Sequence, residues 1–192
     1  YAVLPDAAWV ARMARAGVPT LQLRFKSDDA GAVAREVKTA VDAVRGTRSL
    51  LFINDHWQAA IDAGAYGVHL GQEDMEAADL AAIRAAGLRL GLSSHGYFEM
   101  LRADALSPSY IAMGAVFPTT LKRMATAPQG PGRLQASARL MRDYPLVAIG
   151  GIAGSQFAPT QSSGLGAVAV VPAPPGPPNP DRAPAHVMPP PA

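Results

Sequence analysis

The sequence predicts an α/β protein that folds as a single (β/α)8 barrel of eight parallel strands, the TIM-barrel architecture. Short apolar runs alternate with segments of helical periodicity, giving eight strands and seven helices without long insertions. Polar residues follow the ends of the apolar runs, as they do where such barrels place their active sites. The chain of 192 residues is slightly short for this fold.

The strands are predicted from short apolar runs that are bounded by turn residues. In order, they are residues 1–4, 20–26, 50–53, 67–70, 88–92, 110–116, 146–149 and 167–171. In the second strand, Gln22, Arg24 and Lys26 alternate with apolar residues, which places three polar side chains on one face.

The helices are predicted from apolar residues at helical spacing. Trp9, Val10 and Met13 lie on one side of the first helix, and a stripe of valines from Val33 to Val44 marks the second. The predicted helices are residues 7–16, 27–45, 56–63, 75–85, 97–105 and 134–142, with a seventh between the last two strands.

The composition predicts one globular domain over residues 1–171, followed by a tail. With 49% hydrophobic and 17% charged residues, the chain can build a substantial core. Residues 172–192 hold ten of the 18 prolines, so we expect this tail to be extended, poorly ordered and unable to form the last helix.

Charge and residue usage exclude several classes of function. The net charge of +2 is spread without a basic run, which favours an anionic small molecule over nucleic acid. The absence of cysteine excludes disulfides and thiolate chemistry. No apolar run is long enough to span a membrane, so we expect a cytoplasmic protein. A homo-oligomer is compatible with the sequence.

Two aspartates predict a magnesium site. Asp55 and Asp74 each follow an apolar run, and the two runs are joined by one short helix. If the strands are parallel neighbours, both carboxylates reach the same end of the sheet, where Mg²⁺ keeps positions for water and substrate phosphates. The alternative is that each aspartate caps a helix or forms a turn.

The polar face of the second strand predicts phosphate binding. Arg24 offers a planar fork and Lys26 a compact charge, and charges inside a barrel need anionic partners. The alternative is a structural ion pair. With the two aspartates, these residues form a constellation suited to Mg²⁺ and a pyrophosphate.

Three further segments are candidates for substrate contacts. Ser93 precedes Ser94 and His95, and we expect it to donate a hydrogen bond to substrate or to cap a helix, because adjacent Ser and His rarely form a nucleophile and base. The loop at residues 117–132 is long enough for a lid and carries Lys122. The glycines at 150–151 and 164–166 either bind a phosphate or turn the chain.

An ordered set of motifs over residues 1–171 resembles the thiamine-phosphate synthase family. The motifs are Gln22-Leu-Arg-Phe-Lys26, Ile53-Asn-Asp55, Gly67-Val-His-Leu-Gly-Gln-Glu-Asp74, Gly91-Leu-Ser-Ser-His95, Gly114-Ala-Val-Phe-Pro-Thr-Thr-Leu-Lys122 and Ala148-Ile-Gly-Gly-Ile152. The resemblance implies a TIM-barrel transferase that joins hydroxymethylpyrimidine diphosphate to thiazole phosphate, giving thiamine phosphate and pyrophosphate. It implies that pyrophosphate leaves first and that the thiazole nitrogen captures the pyrimidine cation.

The resemblance also implies roles for individual residues. The metal ligands for Mg²⁺ would be Asp55 and Asp74, and the catalytic residues would be Ser93, Lys122 and Arg24. The substrate-binding residues implied are Gln22, Arg24, Lys26, Asn54, His69, Ser93, Thr119, Lys122, Gly150, Gly151 and Val171.

Three positions depart from the family pattern. Phe25 stands where an acidic residue is common, and Leu121 where a threonine is common. Pro172 removes a backbone N–H from the turn that the resemblance assigns to the thiazole phosphate.

Two alternatives stay open at this point. A thiazole tautomerase of the same superfamily could use His95 as its acid or base, although it has no diphosphate to neutralise. A non-catalytic phosphate-binding barrel could use the Pro-rich tail as a ligand for a partner.

Overall fold

A computed structural model describes residues 1–119, 127–142, 144–152, 156, 160 and 167–170. Eight parallel strands form one sheet in which each strand pairs with the next along the chain. They are β1 Ala2–Leu4, β2 Thr20–Leu23, β3 Leu50–Asn54, β4 Gly67–Leu70, β5 Arg89–Ser94, β6 Tyr110–Met113, β7 Leu146–Ala148 and β8 Ala167–Val168. The parallel α/β class and the strand order predicted from the sequence are confirmed.

Helices lie between the strands in the described part of the chain. They are α1 Ala7–Arg15, α2 Ala30–Val44, α3 Trp57–Ala63, α4 Gln72–Ala77, α5 Leu80–Ala85, α6 Tyr97–Asp104 and α7 Gly130–Leu140. Asp6 and Asp29 cap α1 and α2 by accepting backbone N–H groups at the helix starts. Among these described helices, none is long and apolar enough to cross a membrane.

The prediction of one helix over residues 75–85 is wrong. The segment forms α4 and α5, which are separated by Ala78 and Asp79. The carboxylate of Asp79 accepts the backbone N–H of Ala82, so it starts a new helix instead of continuing the old one. Asp74 therefore lies in the first turn of α4 and not in a turn that precedes a helix.

The second strand is shorter than predicted. It ends at Leu23, although the backbone N–H of Arg24 still donates to the Leu4 carbonyl oxygen at 2.7 Å. The neighbouring strand β1 ends at Leu4, immediately before Pro5. Arg24 and Lys26 thus lie in the segment that follows the strand, where the alternation of side chains between the two faces of a strand no longer applies.

Two apolar clusters cover the two faces of the sheet. The larger cluster packs the outward faces of the strands against the helices, with Leu21, Ile53, Leu92 and Ile111 at its centre. The smaller cluster lies on the other face. It contains Val3, Phe52, Tyr110, Ala112, Val147 and Ala169.

Two glycines make space for aromatic rings on the inner face. A Cβ atom at Gly67 would lie 2.6 Å from the Phe52 ring, and one at Gly91 would overlap the ring of Tyr110. Gly91 pairs with Tyr110 in the register of β5 and β6. The two rings meet edge to face, with centroids 5.2 Å apart.

We predict that Gly91→Ala lowers the free energy of unfolding by about 1–3 kcal/mol, because the new methyl group must displace the Tyr110 ring. The matched control is Gly132→Ala in α7, where a Cβ atom has open space. This control should be stabilising by about 0.5–1 kcal/mol, since alanine favours helix. Chemical denaturation measures both, and a Gly91→Ala protein as stable as the parent would contradict the packing described.

Candidate active site

A lysine and two aspartates meet at the carboxyl ends of β2, β3 and β4. Lys26 Nζ lies 2.5 Å from Asp55 Oδ2. The carboxyl group of Asp55 lies near that of Asp74 and raises the pKa of Asp74. The side chain of Lys26 is 56% exposed and that of Asp55 17% exposed, so the cluster faces solvent at one end of the sheet. The two carboxylates arrive at the same end of neighbouring parallel strands, as expected.

The backbone of Asp55 is held in an unusual conformation. Its φ of 65° lies in the left-handed region, which aspartate tolerates better than most residues that carry a Cβ atom. Its N–H donates to the His69 carbonyl oxygen on β4 at 2.9 Å, and its own carbonyl oxygen accepts from Trp57 at 2.8 Å. These contacts fix the turn after β3 and direct the carboxylate towards Lys26.

Burial raises the pKa of Asp74 above its ordinary value, and the charge of Asp55 and the hydrogen bond to Asp55 raise it further. The charge of Lys26 and the backbone N–H of Gly71 act in the opposite direction. Two carboxylates have thus been brought together with incomplete compensation by cations. Such a pair is suited to a divalent cation, whose charge would relieve the repulsion.

The chemistry of the donors fits Mg²⁺. Carboxylate oxygens are the hard ligands that this ion prefers, and one or two of them suffice when water and phosphates complete its shell. Within the described residues, no group of three or more His, Cys, Asp or Glu side chains could hold a metal ion. Asp55 and Asp74 are the two carboxylates at this end of the sheet that could hold such an ion.

A line of hydrogen bonds runs through the inner face of the sheet. Gln22 Nε2 lies 2.9 Å from the Tyr1 hydroxyl, which lies 2.5 Å from the Tyr110 hydroxyl. The Tyr110 hydroxyl lies 2.8 Å from His69 Nδ1, and His69 Nε2 lies 2.8 Å from Ser93 Oγ. The line ends at Ser93, near the carboxyl end of β5. We call these five residues the inner chain.

Burial keeps the titratable members of the inner chain neutral. It lowers the pKa of His69 to about 4, with the nearby charge of Asp55 opposing the shift. It raises the pKa of both tyrosines well above the ordinary value for a phenol. At neutral pH the inner chain therefore carries no net charge.

The opposite end of the sheet also has a cavity, with a volume of about 340 Å³. It lies at the amino ends of the strands, between residues such as Thr20, Leu50, Arg89 and Ala167. Neither Asp55 nor Asp74 lines it. The acidic cluster and this cavity are thus at opposite ends of the fold.

The chain matches known proteins over most of its length. The family model described as thiamine monophosphate synthase matches residues 4–173. The chain belongs to this family. The thiamine-phosphate synthase of Neisseria meningitidis serogroup B (strain ATCC BAA-335 / MC58) is 53% identical over 171 residues, which are 89% of this chain and 83% of that protein. That of Yersinia pestis (strain Pestoides F) is 49% identical over 171 residues, 89% of this chain and 80% of that protein.

Solved structures agree with the family assignment. The thiamine phosphate pyrophosphorylase of Pyrococcus furiosus has a TM-score of 0.77 and 27% identity, over 89% of this chain and 84% of that chain. A 3-hexulose-6-phosphate synthase has a TM-score of 0.60 at 15% identity, over 88% of each chain, which shows a shared fold alone. The predictions of the family, of an enzyme and of a transferase in thiamine biosynthesis are confirmed.

The other predicted substrate residues of this synthase-family chain are placed as follows. The Arg24 side chain is half-buried, and no hydrogen bond or ion pair joins it to another side chain within the described residues. The Asn54 side chain is buried at the end of β3, and Thr119 is half-buried beyond β6. Gln22 is 2% exposed and contacts Tyr1, so it lies deeper than Arg24 and Lys26. Phe25 packs against the outer apolar cluster.

Gly150 and Gly151 turn the chain after β7. Both have positive φ, and a Cβ atom on Gly151 would lie 2.5 Å from the Pro118 carbonyl oxygen. Glycine is therefore required there by backbone packing. Phosphate binding at this turn stays a prediction. Other predictions fall outside the described residues; these concern Leu121, Lys122, Val171, Pro172, residues 164–166 and the tail at residues 172–192.

The three residues at the end of β5 separate in space. Ser93 contacts His69, whereas Ser94 Oγ contacts Met113 Sδ at 2.8 Å on the other face. His95 Nδ1 pairs with Glu99 at 2.7 Å. The alternative in which Ser93 caps the following helix is wrong, because the N-cap of α6 is Gly96 and no side chain caps this helix.

Sequence reasoning missed Tyr110, whose hydroxyl contacts His69, and Tyr1, whose hydroxyl contacts that of Tyr110. The sequence did hold a signal for Tyr110. A glycine within a strand, here Gly91, often marks a place where a bulky group on the next strand needs space. Gln72, one of the polar residues that follow a strand, donates from its Nε2 to the Ser93 carbonyl oxygen at 2.6 Å. Gln72 thereby ties the start of α4 to the end of β5.

We predict that Asp74→Asn raises the midpoint of thermal unfolding at neutral pH in the absence of divalent cations. A carboxyl group whose pKa is higher in the folded than in the unfolded state destabilises the fold once it ionises, so removal of the charge is stabilising. Mg²⁺ should raise the midpoint of the parent protein but not that of the variant. Differential scanning calorimetry with and without Mg²⁺ measures both effects.

Asp42→Asn is the matched control for this prediction. The hydrogen bond from Lys38 holds the pKa of Asp42 below its ordinary value, so the ionised form favours the fold. The same substitution should slightly lower the midpoint there. A lower midpoint for Asp74→Asn without Mg²⁺ would speak against the repulsive carboxylate pair.

Proposed function

We propose that this chain forms thiamine phosphate from hydroxymethylpyrimidine diphosphate and thiazole phosphate, with Mg²⁺ at Asp55 and Asp74. The observation that carries the proposal is the contact of Lys26 with Asp55 and of Asp55 with Asp74 at one end of the sheet. A diphosphate needs a metal ion and cations around its oxygens, and this cluster offers both kinds of partner.

The cations of the chain act on the leaving group. Lys26 is largely exposed and bonded to Asp55, so its ammonium group can turn from the carboxylate to a phosphate oxygen. Arg24 follows the same strand and adds a planar fork that suits phosphate. When bound, Mg²⁺ would supply further neutralisation of the diphosphate charge. Asn54 would add an amide to this end of the site.

The reaction that the resemblance implies breaks one bond and forms one bond. The carbon–oxygen bond to the diphosphate breaks, and its electron pair leaves with the pyrophosphate. The resulting pyrimidine cation accepts the lone pair of the thiazole nitrogen, which forms the new carbon–nitrogen bond. Ser93 and His69 would lie beside the pyrimidine, whereas Thr119, Lys122, Val171 and the Gly150–Gly151 turn would serve the phosphate groups.

We also infer that the sheet closes into the predicted barrel. Support comes from Val170, which forms a parallel bridge with Ala2 and so links the end of the sheet to its beginning. The Val3 N–H donates to the Val170 carbonyl oxygen at 3.0 Å, and the Val170 N–H donates to the Tyr1 carbonyl oxygen at 2.9 Å.

The synthase is favoured over the tautomerase by the acidic cluster, since a tautomerase has no diphosphate to neutralise. The His95 side chain, on which the tautomerase alternative rests, is paired with Glu99. A homo-oligomer and a cytoplasmic location stay predictions.

The test is the formation of thiamine phosphate from the two substrates, with and without Mg²⁺. We predict that Lys26→Met lowers kcat/KM for the diphosphate substrate at least tenfold, as expected when a charged hydrogen bond of about 1.5–3 kcal/mol is lost. Lys38→Met is the matched control, because Lys38 makes an exposed ion pair with Asp42 on α2. It should leave the rate unchanged.

The outcomes of this assay separate the hypotheses. Formation of thiamine phosphate that depends on Mg²⁺ supports the synthase. Binding of pyrophosphate in the presence of Mg²⁺ without turnover would indicate the non-catalytic barrel. Full activity without any divalent cation would remove the metal role of Asp55 and Asp74.

A further inference from the structure

The loop after β2 carries two of the cations that the proposed function uses, Arg24 and Lys26. β2 ends at Leu23 and α2 begins at Ala30, so residues 24–29, which we call the β2–α2 loop, lie outside regular secondary structure. A segment of this kind is mobile unless contacts from elsewhere in the protein hold it. The positions of both cations therefore depend on the contacts that this loop makes.

Two hydrogen bonds from the turn after β3 reach the β2–α2 loop. One joins Lys26 Nζ to Asp55 Oδ2 at 2.5 Å. The other joins His56 Nε2 to the backbone carbonyl oxygen of Phe25 at 3.0 Å. Phe25 stands between Arg24 and Lys26 in the chain, so the second bond holds the backbone from which both cations project.

The chemistry of the partner fixes the direction of the His56 hydrogen bond. A backbone carbonyl oxygen only accepts, so His56 Nε2 carries the hydrogen and donates it to Phe25. A neutral ring with its hydrogen on Nε2 and a charged ring can both donate in this way. The bond therefore requires no particular charge on His56.

His56 departs from the usual chemistry of its position in the fold. It is the N-cap residue of α3, a position where Ser, Thr, Asp or Asn usually accepts a backbone N–H of the helix. The His56 side chain makes no such bond. Its ring instead contacts a residue 31 positions away in the chain. The side chain thus joins two loops and does not cap its own helix.

The two hydrogen bonds differ in what happens when a diphosphate binds. In the proposed function, the Lys26 ammonium group turns from Asp55 to a phosphate oxygen, which breaks the ion pair. The bond from His56 to the Phe25 carbonyl oxygen uses neither of these charged groups and can persist through that change. The backbone of His56 is itself held, because its N–H donates to the Asn54 carbonyl oxygen at 2.8 Å. His56 therefore keeps the loop beside the turn after Lys26 has left Asp55.

We propose that His56 is a positioning residue that anchors the β2–α2 loop to the turn after β3 and so holds Arg24 and Lys26 in place for the diphosphate. It acts through the Phe25 backbone and not on the substrate itself. Because the loop is ordered during folding, its ordering does not weaken the binding of substrate. The part that concerns the diphosphate rests on the proposed function, whereas the anchoring of the loop does not.

Two substitutions separate this anchoring from a general loss of stability. In His56→Gln, the amide nitrogen lies as many bonds from Cβ as Nε2 does in histidine, so it can still donate to Phe25. In His56→Asn, the amide is one bond shorter and loses this reach, although asparagine is favoured at helix N-caps. We therefore expect His56→Asn to release the loop while the midpoint of thermal unfolding stays close to that of the parent protein.

The anchoring is measured without substrate or metal, by ¹⁵N relaxation NMR of the full chain. We expect the amide order parameters of Phe25 and Lys26 to fall in His56→Asn and to keep the parent values in His56→Gln. The order parameters of α3 should be unchanged in both variants. Unchanged values for Phe25 and Lys26 in His56→Asn would overturn the anchoring role.

The consequence for the substrate is measured by binding and by kinetics in the presence of Mg²⁺. In His56→Asn, we expect the Kd of pyrophosphate and the KM of the diphosphate substrate to rise about three- to tenfold, the size of one hydrogen bond. The KM of thiazole phosphate should stay at the parent value, and His56→Gln should restore the other two constants. An equal rise of KM for both substrates would indicate general damage to the site and would overturn the proposal.

Gln58→Leu is the matched control, because Gln58 is an exposed polar residue on the same helix, α3. Its order parameters, Kd and KM should equal those of the parent. If the parent protein forms no thiamine phosphate, the proposed function fails, and the order parameters still decide whether His56 anchors the loop. If the parent forms thiamine phosphate and pyrophosphate binds equally well to His56→Asn, the proposed function stands and the role of His56 is overturned.

Discussion

Parallel pairing of consecutive strands is the constraint on which the rest of this structure depends. Because every strand runs in the same direction, the residue after each strand arrives at the same end of the sheet. This places Lys26, Asp55 and Asp74, which are far apart in the chain, within one cluster. Within this cluster the charge of Asp55 raises the pKa of Asp74, and the charge of Lys26 only partly opposes that shift.

The inner face of the sheet obeys a second constraint, which is the satisfaction of buried polar groups. Gln22 and His69 are nearly inaccessible to water, so their donors and acceptors must find partners inside the protein. The hydroxyls of Tyr1 and Tyr110 provide them, and Gly91 gives the Tyr110 ring its space. The packing of Gly91 against the Tyr110 ring thus supports the same hydrogen bonds that lead through His69 to Ser93.

The bounds of a strand or helix were predicted correctly where only one local sequence pattern was present. The β4 strand has the predicted bounds, because a short apolar run is enclosed by turn residues on both sides. The error in the fourth helix arose because the alanine-rich helical pattern continues through Asp79. The Asp79 carboxylate caps a new helix by accepting the Ala82 N–H, so one predicted helix is two helices in the structure. The error in β2 arose because apolar–polar alternation continues to Lys26, whereas the strand ends at Leu23 and its neighbour β1 ends before Pro5.

The candidate site was predictable where its residues lie at strand ends. Asp55 and Asp74 could be paired from the sequence, since a strand–helix–strand unit fixes their common end. The partner of Ser93 could not, because His69 lies one strand away and shares only the inward direction of its side chain. The adjacent His95, whose spacing already made it an unfavourable partner for Ser93, pairs with Glu99 on the following helix.

By itself, the sequence determined the parallel α/β class, the order of the strands, the family and the set of charged residues available for a diphosphate. Each of these follows from local periodicity, from motifs or from the rule that parallel neighbours share an end. Only the tertiary structure decided which of those residues touch, how far Gln22 is buried and which hydroxyls face His69. Those facts depend on side chains from separate strands meeting in three dimensions, and no spacing along the chain encodes such distances.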